Sequence, residues 1–249
     1  MSPLDRVPKD AVVGARSGES RVRSLPATAF FVFGAVLLLL ATRVSIPALV
    51  EQDFDPLLAW FVSAGFGVFL PLFLVGWVSV RREGGRTPLD LRSDRLRFRR
   101  LDRSDWRVCG AALAAIGLLT GLIALVMLYF KGRSVLHPAF LPGLPLSAGR
   151  YWLLGVWPVF FTANILWEEF VWRGVLLPRQ ESAHGRYAWV FNGAGWTAFH
   201  AAMGWQVVML LPLSLILPYA VQRTGNTWVG VILHAAVNGP AFVAISMGA

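Results

Sequence analysis

Residues 56–80, "PLLAWFVSAGFGVFLPLFLVGWVSV", run for 25 residues without a charged side chain. As a helix this stretch reaches across the roughly 30 Å hydrocarbon core of a bilayer, which about 20 residues suffice to span. A helix pairs its backbone groups internally, as lipid requires, whereas a lone strand leaves them unpaired. Further charge-free runs lie on either side: Ser24–Thr42 has 19 residues and Val108–Phe130 has 23. Composition agrees, with 56% hydrophobic residues, mean hydropathy +0.58 and 15% charged residues, against about a quarter in soluble domains. The chain reads as an all-α, polytopic transmembrane helix bundle.

A fourth span is predicted from Tyr151 to about Leu177, where Pro178 is expected to end the helix. From Tyr187 to Gln222, 36 residues contain His200 as the only histidine or charged side chain. That is too long for one crossing, so two short spans are predicted, broken near Met203–Trp205. Thr224–Ala249 forms the last, which makes about seven. Residues 1–23 are polar and charged enough to be a disordered cytoplasmic tail. The first apolar run is longer than a signal-peptide core and has no small-residue cleavage pattern, so it is expected to stay as an anchor. Residues 24–149 then hold three spans and an Arg-rich loop.

The formal net charge is +9 and the pI about 10.9, values that elsewhere suggest nucleic acid. Here the positions of the charges argue for topology. Ten arginines lie between Arg81 and Arg107, and five basic residues precede the first span. Alternate connections on the same side add Arg179, Arg186 and Arg223; the opposite side carries Arg43, Lys131, Arg133 and Arg150. The positive-inside rule therefore predicts a cytoplasmic N-terminus and a cytoplasmic loop 81–107 facing anionic lipid head groups. No aromatic-interleaved basic surface supports nucleic-acid binding. The one cysteine, Cys109, excludes a disulfide framework and a Cys-based metal cluster, and it reads as buried and structural.

Against this background "ILWEEFVWRGVL", residues 165–176, is unusual. Of 14 acidic residues, only Glu168 and Glu169 fall inside an apparent span. Ionisable groups at membrane depth cost a few kcal/mol each on insertion scales and mark function or a buried pair. Arg173 lies four residues after Glu169, with the glutamate on the N-terminal side, the better order for an ion pair. Glu168 points about 100° around the helix and is free to face something else. His200 and His234 also fall within spans, while His137 and His184 lie in connections. Asn238 follows His234 by four residues, so both share a helix face. An imidazole beside a carboxamide can donate to a developing oxyanion. A carboxylate with a histidine can take a proton from water. These are parts of a hydrolase that uses water directly, and no G-x-S-x-G element is present.

"EEFVWR", of the form E-E-x-x-x-R, the histidine ending "WTAFH", and "HAAVN", of the form H-x-x-x-N, occur in this order. Together with "QRTGNTWVGVILHAAVNG" they resemble the CAAX protease and bacteriocin-processing family of glutamate-dependent intramembrane endopeptidases, which includes the Ras-converting CAAX endopeptidase. The resemblance covers about residues 150–245 and implies that residues 150–249 form the catalytic helix bundle. It implies that Glu168 with His200 activates water and that His234 and Asn238 form the oxyanion site. Glu169 and Arg173 would support them, with Glu169 also placed to share the catalytic work. No cofactor is implied. The family's second motif is usually F-x-x-x-H; here Trp196 takes the aromatic position, which reads as a packing residue. Because the Pro178 connection is expected on the cytoplasmic side, the site is expected to be reached from the cytosolic leaflet.

Other readings use the same residues. Glu168, His200 and His234 could hold zinc; the ionisable groups could form a transporter relay; or the chain could be a non-catalytic scaffold or immunity protein. The 21 arginines against two lysines suggest a GC-rich bacterial genome and hence the inner membrane. Substrates would then be membrane-associated or exported proteins, such as bacteriocin leaders or, in the myxosortase branch, C-terminal sorting anchors.

Overall fold

The computed structural model describes residues 26–83, 95–132 and 143–248. The tail 1–23, His137 and the central part of the loop 81–107 lie outside the described residues. Among the described residues every regular element is helical. Five stretches are long and apolar enough to cross a membrane: α1 (Ala27–Val50), α2 (Pro56–Arg82), α3 (Arg103–Lys131), Leu153–Thr224, and Thr227–Ser246. The 72 residues of the fourth exceed what one crossing needs by more than threefold. They divide into α4 (Leu153–Glu169), a π-helical segment (Phe170–Leu176), α5 (Leu177–His184), α6 (Ala188–Phe199) and α7 (Val207–Thr224). The final helix is α8 (Thr227–Ser246). The chain is a helical membrane bundle.

The predicted break near Met203–Trp205 is a 3-10 stretch, His200–Gln206, in which Gly204 takes φ 65°, a left-handed value suited to glycine. The expected stop at Pro178 is a correction. The helix passes through it and ends at Gly185, because the π segment before it has already opened the α hydrogen-bond ladder and Pro178 falls in the first turn of α5, where a missing N–H costs nothing.

The helices alternate between two ends of the molecule. At one end the segment 95–102 lies across the bundle. Arg97 makes a bidentate pair with Glu181 at 2.9 and 2.5 Å, and Arg99 donates to Asp105 and to the Thr224 carbonyl, both at 2.8 Å. Thr227 donates from its hydroxyl to the Leu96 carbonyl and from its amide to the Arg97 carbonyl. These bonds push Leu96 and Phe98 into the core. We call this the arginine-rich end. Asp102 caps α3 here, and the Ser104 hydroxyl holds its carboxyl down to about 2.

At the other end, Asp55 caps α2 by accepting from the amides of Leu57 and Leu58, and Arg150 donates to both its oxygens at 2.6 and 2.9 Å. Beneath lie Leu57, Phe61, Leu146 and Leu153, packed as a small cluster. The Arg150 hydrogen bond holds the Asp55 carboxyl below its usual range. A depressed carboxylate stabilises the fold above its unfolded pKa, and that contribution fades as pH falls through the folded value. Asp55→Ala is therefore expected to cost about 1–2 kcal/mol at pH 7 through lost cap and ion pair. Thermal unfolding in detergent should show the gap from wild type shrinking below about pH 4, near the unfolded aspartate pKa; a pH-independent gap would remove the ion pair from the account.

In the middle, α6 is wedged between α1 and α7. A Cβ on Gly193 would lie 2.4 Å from the Ser214 carbonyl oxygen, and one on Gly195 would lie 2.4 Å from the Phe31 ring. Small residues are what let helices approach this closely in lipid, where packing and not water exclusion holds them together.

Candidate active site

The two carboxylates of α4 point to different partners. Arg173 donates from Nη1 to Glu169 Oε1 at 2.8 Å, and both side chains are fully buried. His234 Nδ1 reaches the same oxygen at 2.8 Å. A carboxylate accepts hydrogen bonds, so Nδ1 carries the proton in this contact. Such close approach depends on Gly230, one turn before His234, where a Cβ would sit 2.5 Å from Glu169 Oε2.

Glu168, which spacing left free of Arg173, is held by indoles. Its Oε2 accepts from Trp172 Nε1 at 3.2 Å and from Trp196 Nε1 at 2.8 Å. Trp196 lies at the centre of the group. Its ring stands edge-on to His200 and to His234, with centroids 4.5 and 5.4 Å away, and the Arg173 guanidinium lies 5.0 Å over its face. The reading of Trp196 as a packing residue is thus incomplete: it is buried, and it also donates to a carboxylate. The sequence carried a signal, since a buried indole N–H usually finds an acceptor. His200 Nδ1 lies 2.9 Å from the Trp196 carbonyl, an acceptor only, so that nitrogen holds the proton and Nε2 carries the lone pair.

The π segment matters to this arrangement. Opening the helical ladder leaves carbonyls to satisfy, and Asn192 of α6 donates from Nδ2 to the Trp172 carbonyl at 2.9 Å and to Gln180 Oε1 at 2.8 Å. Asn192 was not singled out from sequence, because its partners are 12 and 20 residues away.

Glu168, His200, His234 and Asn238 line one cavity of about 380 Å³, together with Trp196. Glu169 and Arg173 do not line it; they sit behind its wall. The cavity runs from Glu168 along α4 to Trp157, and along α8 from His234 to Ile245, with Trp60 and Phe61 of α2 opposite. That direction leads to the Asp55 end. The expectation that the site opens on the Pro178 side is overturned, because Trp172, Leu176 and Leu177 are buried there and Leu96 and Phe98 close in around Gly174. Among the described residues the cavity is closed at the arginine-rich end. His184 lies at that closed end, stacked on Phe191, and Cys109 is buried in the core.

The family model described as Type II CAAX prenyl endopeptidase Rce1-like matches residues 150–239. Over this region the chain is similar to the Rce1-like family. It is a membrane protease of the CAAX endopeptidase type. No curated protein and no solved structure matches the chain. The residues of this Rce1-like protease that match the family model include all six candidate site residues. They do not fit a zinc centre. Among the described residues no group of three His, Cys, Asp or Glu side chains could hold a metal ion. Glu168 Oε2 and His234 Nδ1 are already engaged, by the indoles and by Glu169.

Proposed function

We propose that this Rce1-like protein is a glutamic intramembrane endopeptidase of the bacterial inner membrane. In this reading it crosses the membrane several times, with its N-terminus in the cytoplasm, and cleaves a membrane-associated or exported protein. One observation carries the reading: Glu168, His200, His234 and Asn238 share a cavity from which Glu169 and Arg173 are excluded.

Water enters between Glu168 and His200. The Glu168 carboxylate takes a proton from it while His200 Nε2 accepts a hydrogen bond and orients it. The oxygen attacks the scissile carbonyl carbon, and the resulting oxyanion is met by His234 and Asn238. His234 donates from Nδ1 to Glu169, which fixes its ring beside the oxyanion. The proton held by Glu168 then passes to the leaving nitrogen, giving a new carboxylate and a new amine with no covalent enzyme intermediate. Arg173 holds Glu169 in place, and Glu169 in turn aims His234.

Cells carrying Glu168→Gln at matched expression test this, with mass spectrometry of protein termini. A defined set of membrane or exported proteins should keep segments that wild-type cells remove. An unchanged set, with the variant folded and inserted, would refute the proposal and favour a scaffold or transporter.

The indole clamp makes a smaller prediction. Trp196→Phe removes the shorter hydrogen bond to Glu168 while keeping most of the ring volume. A hydrogen bond to a charged group contributes about 1.5–3 kcal/mol, so turnover should fall roughly 10- to 100-fold with KM little changed. A change confined to KM would place Trp196 in substrate binding instead.

A further inference from the structure

The cavity and the charge distribution together bear on which side of the membrane the substrate comes from. Within the described residues, the arginines of 81–107 gather at the closed end with Arg179, Arg186 and Arg223, while the end the cavity runs toward carries Arg43, Lys131 and Arg150. Basic residues mark the cytoplasmic side of membrane helices. We propose that the substrate enters from the extracytoplasmic face, as an extended apolar segment of an exported protein lying against the outer leaflet. This rests on the protease reading above and adds to it the face and chemistry of what is cut.

Cavity dimensions fit that occupant. From Glu168 to Trp157 is 11 helical residues, roughly 16 Å at 1.5 Å per residue. An extended chain covers that depth with about five residues at 3.3 Å each. The wall is aromatic and aliphatic, with Phe61, Trp157, Phe160, Phe161 and Phe242 among its residues, so apolar side chains are favoured. It carries a polar group suited to a peptide backbone. Asn164 lines the cavity one helical turn from Glu168, and its buried Oδ1 has no hydrogen-bond partner among the described residues. An extended peptide presents backbone N–H groups that such an oxygen can accept. A polar or charged cytosolic tail would have to pass Leu96, Phe98 and Trp172 to reach Glu168, and the packing among the described residues there leaves no route.

Thiol labelling in intact cells separates the face from the chemistry. With Cys109 replaced by serine, Met203→Cys places a thiol on the cavity wall beyond His200, and Arg186→Cys places one at the arginine-rich end. A membrane-impermeant maleimide should label Met203→Cys from outside and reach Arg186→Cys only after the membrane is permeabilised. The reverse pattern would overturn the proposal, whether or not the protein proves to be a protease. In the comparison with Glu168→Gln, the lost cleavage sites should lie in apolar segments on the outer side of the membrane. Cuts in cytosolic segments would refute the assigned face and leave the protease reading standing.

Discussion

Arg173→Met should destabilise the bundle by about 3–5 kcal/mol, the cost of leaving a buried charge without its partner. Glu169 is fully buried, and beyond Arg173 its neighbours include His234 and the backbone near Gly230. The double variant Glu169→Gln, Arg173→Met should recover most of the loss, since removing both charges also removes the desolvation penalty. Urea titration of the detergent-solubilised protein measures this. A single variant within about 0.5 kcal/mol of wild type, the range of ordinary surface changes, would mean that the guanidinium is not what keeps Glu169 in place.

Exchanging the two glutamates one at a time is expected to separate their roles. Glu168→Gln keeps an oxygen that accepts from Trp172 and Trp196, so the fold should hold, while turnover falls by about 10³, within the range for a positioned general base. Glu169→Gln should cost less in turnover, about 10–100-fold. It weakens the charge-assisted bond that aims His234, which acts on one part of the oxyanion site. The opposite ranking would assign the proton transfer to the Glu169–His234 pair. That pair is bonded directly at 2.8 Å and is the natural competitor.

Much of this was legible in the sequence, for local reasons. Charge-free runs identify membrane helices because the thickness of lipid sets their length. The Glu169–Arg173 pair follows from a four-residue spacing alone. Features set by distant partners were not legible. The indole of Trp196 meets Glu168 across 28 residues, and Asn192 meets the Trp172 carbonyl across 20. Pro178 misled because a proline's effect depends on whether the ladder before it is already open. The direction of the cavity was misjudged for a similar reason: Leu96 and Phe98, far from the motifs in sequence, close the side that was expected to be open.

That closure also bears on the electrical integrity of the membrane. Hydrolysis needs water and mobile protons deep within a bundle that lies across a charged bilayer, and each elementary charge moved through 100 mV releases about 2.3 kcal/mol. A passage open at both ends would dissipate that energy as a proton leak. Among the described residues, the buried side chains of Leu96, Phe98, Trp172 and Leu177 form a stopper between the carboxylates and the arginine-rich end. The bundle can therefore hold a wet reaction chamber and still insulate.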